Sequence, residues 1–459
     1  MSAVPQTLAD AVAAHQAGRM AEAERLYREI LAADPQHVDA LQLLGLLALQ
    51  TKRPDLAVSL LKQAIALRVD QPAFHNNLGA AHTALGQHKD AESAYAQAVR
   101  LKPEYVDAHF NRATALRSLN RLPDAEAAFH SVLNLKPDHA DALNGLASLL
   151  KAQRRPDEAL AHLRRAVEIR PTFATAWTNL ANLLLDSGRP DEAIDAYRRA
   201  LAARPQYPEA LNNLGAALHS REQLDAARDC FRQALALKPD YADAHYNLGA
   251  LQQAQGDSAD AAASYRAALN AAPGHVGALA NLAAVYLSLG QFDDAVAAYR
   301  QTLAARPNAA GIASTLAHLL QEACEWTDEL QNLESLVAQA VDADDQDPST
   351  APVSPFNFLA MSRLTSPEQQ LRCARQYSSR KFRRAALPAT TAQHPTAARP
   401  PALPPRKLIL GYLSNDFRAH AVASLVAELF EQHDRERFVV YGLSYGPDDG
   451  SPMRRRIMA

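Results

Sequence analysis

Cysteine is scarce: Cys230, Cys324 and Cys373 are the only three in 459 residues, and no CxxC pair occurs. That argues against a cysteine-based zinc site and a disulfide framework, and it agrees with a reducing cytosol. Long apolar runs are missing too. No stretch reaches the roughly 18 consecutive apolar residues of a membrane-spanning helix. The opening MSAVPQTLAD has no basic stretch leading into an apolar core, so no signal peptide is expected. Aromatic residues make up only 6% of the chain, and alanine is abundant, so helices can approach closely. Excess charge is lacking: 47 basic residues face 50 acidic ones, a net charge of −3. No global field is present to hold nucleic acid or an anionic membrane. The phosphate loop GxxxxGK, the zinc motif HExxH and the dinucleotide fingerprint GxGxxG are all absent. With 48% hydrophobic residues the chain is nonetheless a folding one, and its length alone suggests about three domains.

What is present is a repeat. Pro35, Pro103, Pro137, Pro171, Pro205, Pro239, Pro273 and Pro307 fall on one register of period 34, broken only at Val69. Counted from Val4, proline is position 32, and nine repeats fill residues 4–309. Position 20 is alanine in all nine, from Ala23 to Ala295, and position 8 is always glycine or alanine. Position 24 is bulky, as in Tyr27, Leu61, Phe129 and Tyr197. The pattern predicts two helices of about 12 residues per repeat. They are separated near position 15, where Gly18, Gly86, Gly188, Gly256 and Gly290 supply a permissive backbone. Small residues at 8 and 20 let the helices cross closely, the bulky residue at 24 fills the gap, and proline stops the second helix. One helix pair cannot bury its apolar face alone, so the pairs must stack. By repeat length and by these positions the segment resembles the tetratricopeptide repeat. The resemblance implies a right-handed α-solenoid superhelix with the first helices lining its concave side.

Position 6 is asparagine in six of the last eight repeats: Asn77, Asn111, Asn179, Asn213, Asn247 and Asn281, with Leu43 and Gly145 as exceptions. A carboxamide offers an acceptor and two donors, so it can pair with the N–H and C=O of an extended peptide whatever its side chains. On the inner face these residues are expected to form a column that binds extended polypeptide through its backbone. The competing reading is that they are solvated or cap a neighbouring helix. His75, His109 and His245, all at position 4, are read as packing or groove residues and not as metal ligands.

Beyond residue 309 the markers fade. Residues 310–342 read as a modified tenth repeat and helical cap, with a first helix from Ser314 to Glu325 and a second over 328–341. Residues 343–405 read as a connecting region, with PFNFLAM, a helix near 367–380, the basic run Arg380, Lys381, Arg383 and Arg384 at a solvated helix end, and a proline-rich linker over 384–405. LILGYLS (408–414) and FVVYGLS (438–444) are short apolar runs, hence buried strands of an α/β sheet, with a helix at about 421–432 between them.

The segment LAHLLQEACEWTD and the motifs S-x-D-F-x-x-H (414–420) and S-x-x-P-D-D-G are similar to those of the protein O-linked N-acetylglucosamine transferases. The resemblance implies transfer of N-acetylglucosamine from UDP-N-acetylglucosamine to Ser and Thr hydroxyls of proteins, with no further cofactor and no metal. It implies that His420 is the catalytic loop histidine, with Asp416 fixing the loop and Asp448 and Asp449 in a turn. Residues 406–459 are too few for a catalytic region of two Rossmann-like halves. They are expected to be an incomplete Rossmann-like fragment that lacks the main nucleotide site, and this chain alone is expected to be inactive. The expected protein is cytoplasmic and mainly α. Its partners are polypeptides, with no nucleic acid or membrane, and a homodimer is left open. The alternative is a non-catalytic tetratricopeptide scaffold.

Overall fold

A computed structural model describes residues 4–343, 352–361, 365–381, 408–414 and 438–444. Its first compact unit spans Met1–Tyr377 and its second Ser378–Ala459.

The first unit is a stack of helical hairpins. In each repeat a first helix of 13 or 14 residues occupies positions 1 to 13, for example Pro72–Ala84, Ala174–Asp186 and Pro208–Ser220. A second helix of 14 residues starts at position 17, as in His88–Leu101 and Pro190–Ala203. Each helix packs against its neighbours in sequence. First helices of consecutive repeats also touch one another directly, from the second repeat to the ninth. They therefore form the inner layer of the stack.

The packing follows the small and large positions. All nine alanines at position 20 are buried, and so is every residue at position 24. The position-24 side chain sits on the position-8 residue of its own hairpin. A Cβ added at Gly79 would lie 2.6 Å from the Tyr95 ring, at Gly215 2.6 Å from Phe231, and at Gly249 2.9 Å from Tyr265. Glycine gives these rings room to lie against the helix backbone. Fully burying one such side chain is worth about 1.5–3 kcal/mol.

Two local features go further than the sequence pattern. Position 15 has a positive φ in all ten hairpins, not only at the five glycines. Lys52, Asn120, Arg154, Glu222 and Cys324 adopt φ between 55° and 61°. The hairpin turn imposes this conformation, and the stacking on either side holds it. The second feature is at position 31, where the second helix ends in an extended residue. Lys102 (φ −140°) precedes Pro103 as the proline requires, yet Arg68 (φ −146°) does the same before Val69. Proline therefore favours this exit without being needed for it.

The tenth hairpin keeps the spacing that the sequence markers lose. Its first helix is Ala310–Glu322, four residues earlier than the sequence suggests, its turn is at Cys324, and its second helix is Asp328–Ala343. Gly311 carries no helix or apolar signal, but it is buried with Ala310 in the first turn of this helix. Helices Pro355–Ala360 and Pro367–Lys381 follow where PFNFLAM and the 367–380 pattern place them. Val353, Phe358, Met361 and Cys373 join the core of the ninth and tenth hairpins. Part of the expected connecting region thus caps the stack.

Three junctions between hairpins carry an ion pair at the turn edge. Position 16 of one repeat reaches position 21 of the one before: Arg53 donates to both carboxylate oxygens of Glu24 at 2.8 and 2.6 Å, and Arg155 donates to Glu126 at 2.7 Å. The hydrogen bond from Arg53 holds the Glu24 carboxyl below the usual carboxylate range. At Glu126 burial opposes ionisation, but hydrogen bonds from Arg155 and Gln153 outweigh it.

In the second unit, β1 (Leu408–Ser414) and β2 (Phe438–Ser444) pair in parallel, from Leu408 opposite Phe438 to Ser414 opposite Ser444. These are the two strands read from the sequence.

Two measurements check this account. Gly188→Ala should lower the unfolding free energy by about 1 kcal/mol, because an L-residue pays that much in the left-handed region. Glu222→Gly should leave stability equal or raised; a loss there would contradict an imposed turn. Because both carboxyls are lowered in the folded state, their stabilisation is complete above the unfolded value of about 4.3 and is lost as pH falls through the folded values. Urea midpoints should therefore drop below about pH 4.3. The double variant Glu24→Gln, Glu126→Gln should flatten that slope, and an unchanged slope would count against the clamps.

Candidate functional site

The inner layer presents positions 5 and 6 of each first helix, and all six predicted asparagines lie there half-buried. They are not independent. Asn111 donates through Nδ2 to Oδ1 of Asn76 at 3.1 Å, Asn179 to Asn144 at 2.8 Å, and Asn247 to Asn212 at 2.9 Å. In each case position 6 of one repeat reaches back to position 5 of the repeat before. One N–H is consumed and the amide plane is fixed. The carbonyl oxygens of Asn111, Asn179 and Asn247 accept no hydrogen bond among the described residues.

The other three differ. Asn213 donates to Asn182 at 3.2 Å and accepts from Asn212 at 3.2 Å, so its carboxamide is largely spent inside the protein. The Tyr197 hydroxyl donates to the same Asn182, and burial raises this phenol well above its ordinary range. Asn281 donates to the Tyr265 hydroxyl at 3.2 Å, and burial pushes that phenol up to about 12. Both tyrosines stay protonated at neutral pH and act as neutral hydrogen-bonding groups. Asn77 forms no hydrogen bond among the described residues.

The row is therefore a paired ladder. Its second members, Asn76, Asn144 and Asn212 at position 5, escaped the single-position reading. Their signal was available: they recur at every second repeat, an interval of 68 residues. The break at Gly145 also has a physical cause. A Cβ there would lie 2.7 Å from the Phe129 ring, and Phe110 packs edge-on against the same ring with centroids 6.1 Å apart. No side chain fits at that rung.

The position-4 rings are structural. Nε2 of His75, His109 and His245 lies 2.8, 2.8 and 2.9 Å from the carbonyl oxygens of Val69, Pro103 and Pro239, and Trp177 Nε1 donates to Pro171 at 2.8 Å. Each ring N–H satisfies the position-32 carbonyl of the previous repeat. Position 34 has a matching role: Nδ1 of His37, His139 and His275 accepts from the backbone N–H three residues on and caps the next first helix. Among the described residues no group of His, Cys, Asp and Glu is arranged to hold a metal ion. His420, with its loop and the 421–432 stretch, lies outside the described residues, as do Asp416, Asp448, Asp449 and the 384–405 segment.

Comparison with known families agrees with this architecture. Tetratricopeptide-repeat families match residues 14–80, 76–132, 110–172, 172–240, 220–275 and 252–319. Glycosyl transferase family 41 matches residues 323–459. Among solved structures, pilF of Pseudomonas aeruginosa is 19% identical over 45% of this chain and 94% of its own, with a TM-score of 0.42. MamA is 23% identical over 38% and 98%, with a TM-score of 0.34. YrrB, described as a TPR protein with an unusual peptide-binding site, is 21% identical over 40% and 95%, with a TM-score of 0.34.

The Gly145 rung gives a direct test. Gly145→Asn should destabilise the chain by about 1–3 kcal/mol through overpacking against Phe129. Adding Phe129→Leu, a residue already used at position 24 by Leu61 and Leu163, should recover most of the loss in a urea melt. A neutral Gly145→Asn variant would show that the ring does not exclude the rung.

Proposed function

For a chain that joins tetratricopeptide repeats to a glycosyl transferase family 41 region, we propose that the solenoid holds extended polypeptide along its asparagine ladder and presents it for sugar transfer. The observation that carries this reading is the common geometry of Asn111, Asn179 and Asn247. Each has its amide plane fixed by a bond to the previous repeat and keeps a carbonyl oxygen free to accept. These residues recur every two repeats. Helices pack about 8–10 Å apart, so the rungs lie roughly 16–20 Å apart. An extended chain covers that distance in about five or six residues. Fixed carboxamides at such an interval suit main-chain N–H groups and are indifferent to side chains, as a binder of many polypeptides requires.

The transferred group is N-acetylglucosamine from UDP-N-acetylglucosamine, and the acceptors are Ser and Thr hydroxyls. This rests on the similarity of the 414–420 and 444–450 motifs to the O-linked N-acetylglucosamine transferases. His420 follows the end of β1, the carboxyl end of a parallel strand and the usual ligand side of such sheets. As a neutral imidazole it would take the acceptor hydroxyl's proton or orient that hydroxyl.

Two experiments separate the parts. The triple variant Asn111→Ala, Asn179→Ala, Asn247→Ala should lose at least tenfold in affinity for a labelled extended peptide while keeping its helical circular dichroism. Unchanged affinity would refute the ladder as a binding surface. In the native polypeptide that contains these residues, His420→Ala should cut transfer of labelled N-acetylglucosamine by about 10²–10⁴-fold, the usual worth of a general acid or base. Peptide affinity should not change. Normal turnover would remove His420 from the mechanism.

A further inference from the structure

The ion clamps at the turn edge are not uniform along the stack. Glu24 holds Arg53 and Glu126 holds Arg155, and Glu92 approaches Arg121 at 3.8 Å. The other six junctions lack this pair, and between the ninth and tenth hairpins the two positions are Val296 and Glu325. This junction carries a cleft of about 410 Å³, with Val296, Leu319 and Phe292 among its apolar lining. Phe292 is 59% exposed, and Trp326, which follows Glu325, is 69% exposed. Both occupy position 17 of their repeats, where neither ring is needed by the core.

The charges of the cleft are one-sided. Arg300 lines it but spends its guanidinium on Glu329 through bonds of 3.0 and 2.7 Å, with Glu325 farther off at 3.9 Å. Asp293, Glu322 and Glu325 are then left as an acidic rim, with His318 3.5 Å from Glu322. A cleft with apolar side chains in its lining, the open ring of Phe292 among them, and carboxylates along its edge complements one chemistry. A large apolar side chain fills the cleft, and neighbouring cations meet the carboxylates and the ring faces. An acidic segment would be repelled.

We infer that the junction of the ninth and tenth hairpins is a docking site for a partner polypeptide that inserts a large apolar side chain flanked by lysine or arginine. This surface lies at the hairpin-turn edge, apart from the asparagine ladder on the inner face, and does not depend on the function proposed above.

The test uses the full chain and two fluorescein-labelled, end-capped peptides, Lys-Lys-Leu-Phe-Lys-Lys and Glu-Glu-Leu-Phe-Glu-Glu, read by fluorescence anisotropy. The basic peptide should bind at least tenfold more tightly than the acidic one. The double variant Val296→Glu, Glu325→Arg installs the clamp already used at other junctions and should weaken basic-peptide binding at least tenfold. Trp326→Ala, at a position the core does not use, should weaken it several-fold and guards against a folding defect in the double variant. Equal binding of the two peptides would overturn the inference, as would unchanged binding in a folded double variant and in Trp326→Ala. Concentration-dependent self-association that Trp326→Ala abolishes, with no peptide binding, would assign the cleft to a second copy and overturn it too.

Discussion

The seat of the position-24 side chain on the position-8 residue is the contact on which the stack depends. A ring or leucine from the second helix lies directly against the backbone of the first, close enough that an added methyl at Gly79 or Gly215 would overlap it. This contact sets the distance between the two helices of a hairpin. Alanine at position 20 is buried in the same hairpin core in every repeat. The period of 34 is the sequence signature of that geometry. Because each hairpin repeats the same seat, the first helices line up as one layer, and a residue type repeated at one position becomes a row in space.

That alignment turns single asparagines into a ladder. One carboxamide on a helix surface is solvated and contributes little. Asparagines that meet across a repeat junction hold each other's amide planes, at about 0.5–1.5 kcal/mol per neutral hydrogen bond, and leave defined acceptors unspent. The same alignment explains the exception. Phe129 occupies the space of the rung at Gly145, so core and ladder compete for one volume and the core prevails. Buried Tyr197 and Tyr265 join the ladder from beneath and draw Asn213 and Asn281 into the interior network. The six asparagines are thus not equivalent. Asn111, Asn179 and Asn247 are the set with matching geometry.

Most of the fold was legible because it depends on spacing. Positions 8, 20, 24 and 32 mark both helices, and the apolar runs at 408–414 and 438–444 mark both strands. Features that depend on context were not legible. Lys52, Arg154 and Glu222 have no intrinsic preference for a left-handed backbone; the hairpin turn imposes it. The position-4 imidazoles look like misplaced polar residues until the carbonyl they reach, six residues earlier in the previous repeat, is known. The tenth hairpin is marked by burial and not by the repeat's own markers, since Glu329 stands at position 20 and Val341 at position 32. Position 5 of the ladder was legible at a period of 68 and hidden at 34.

We propose that the inner face reads the main chain of its ligand. Backbone N-methylation of a bound extended peptide tests it most directly, set against alanine substitution of the same peptide's side chains. The ladder predicts that N-methylation at residues spaced to meet Asn111, Asn179 and Asn247 weakens binding at least tenfold, while side-chain substitution changes it less than about twofold. Binding that survives N-methylation but collapses on alanine substitution would show that the groove reads side chains, and would contradict the account.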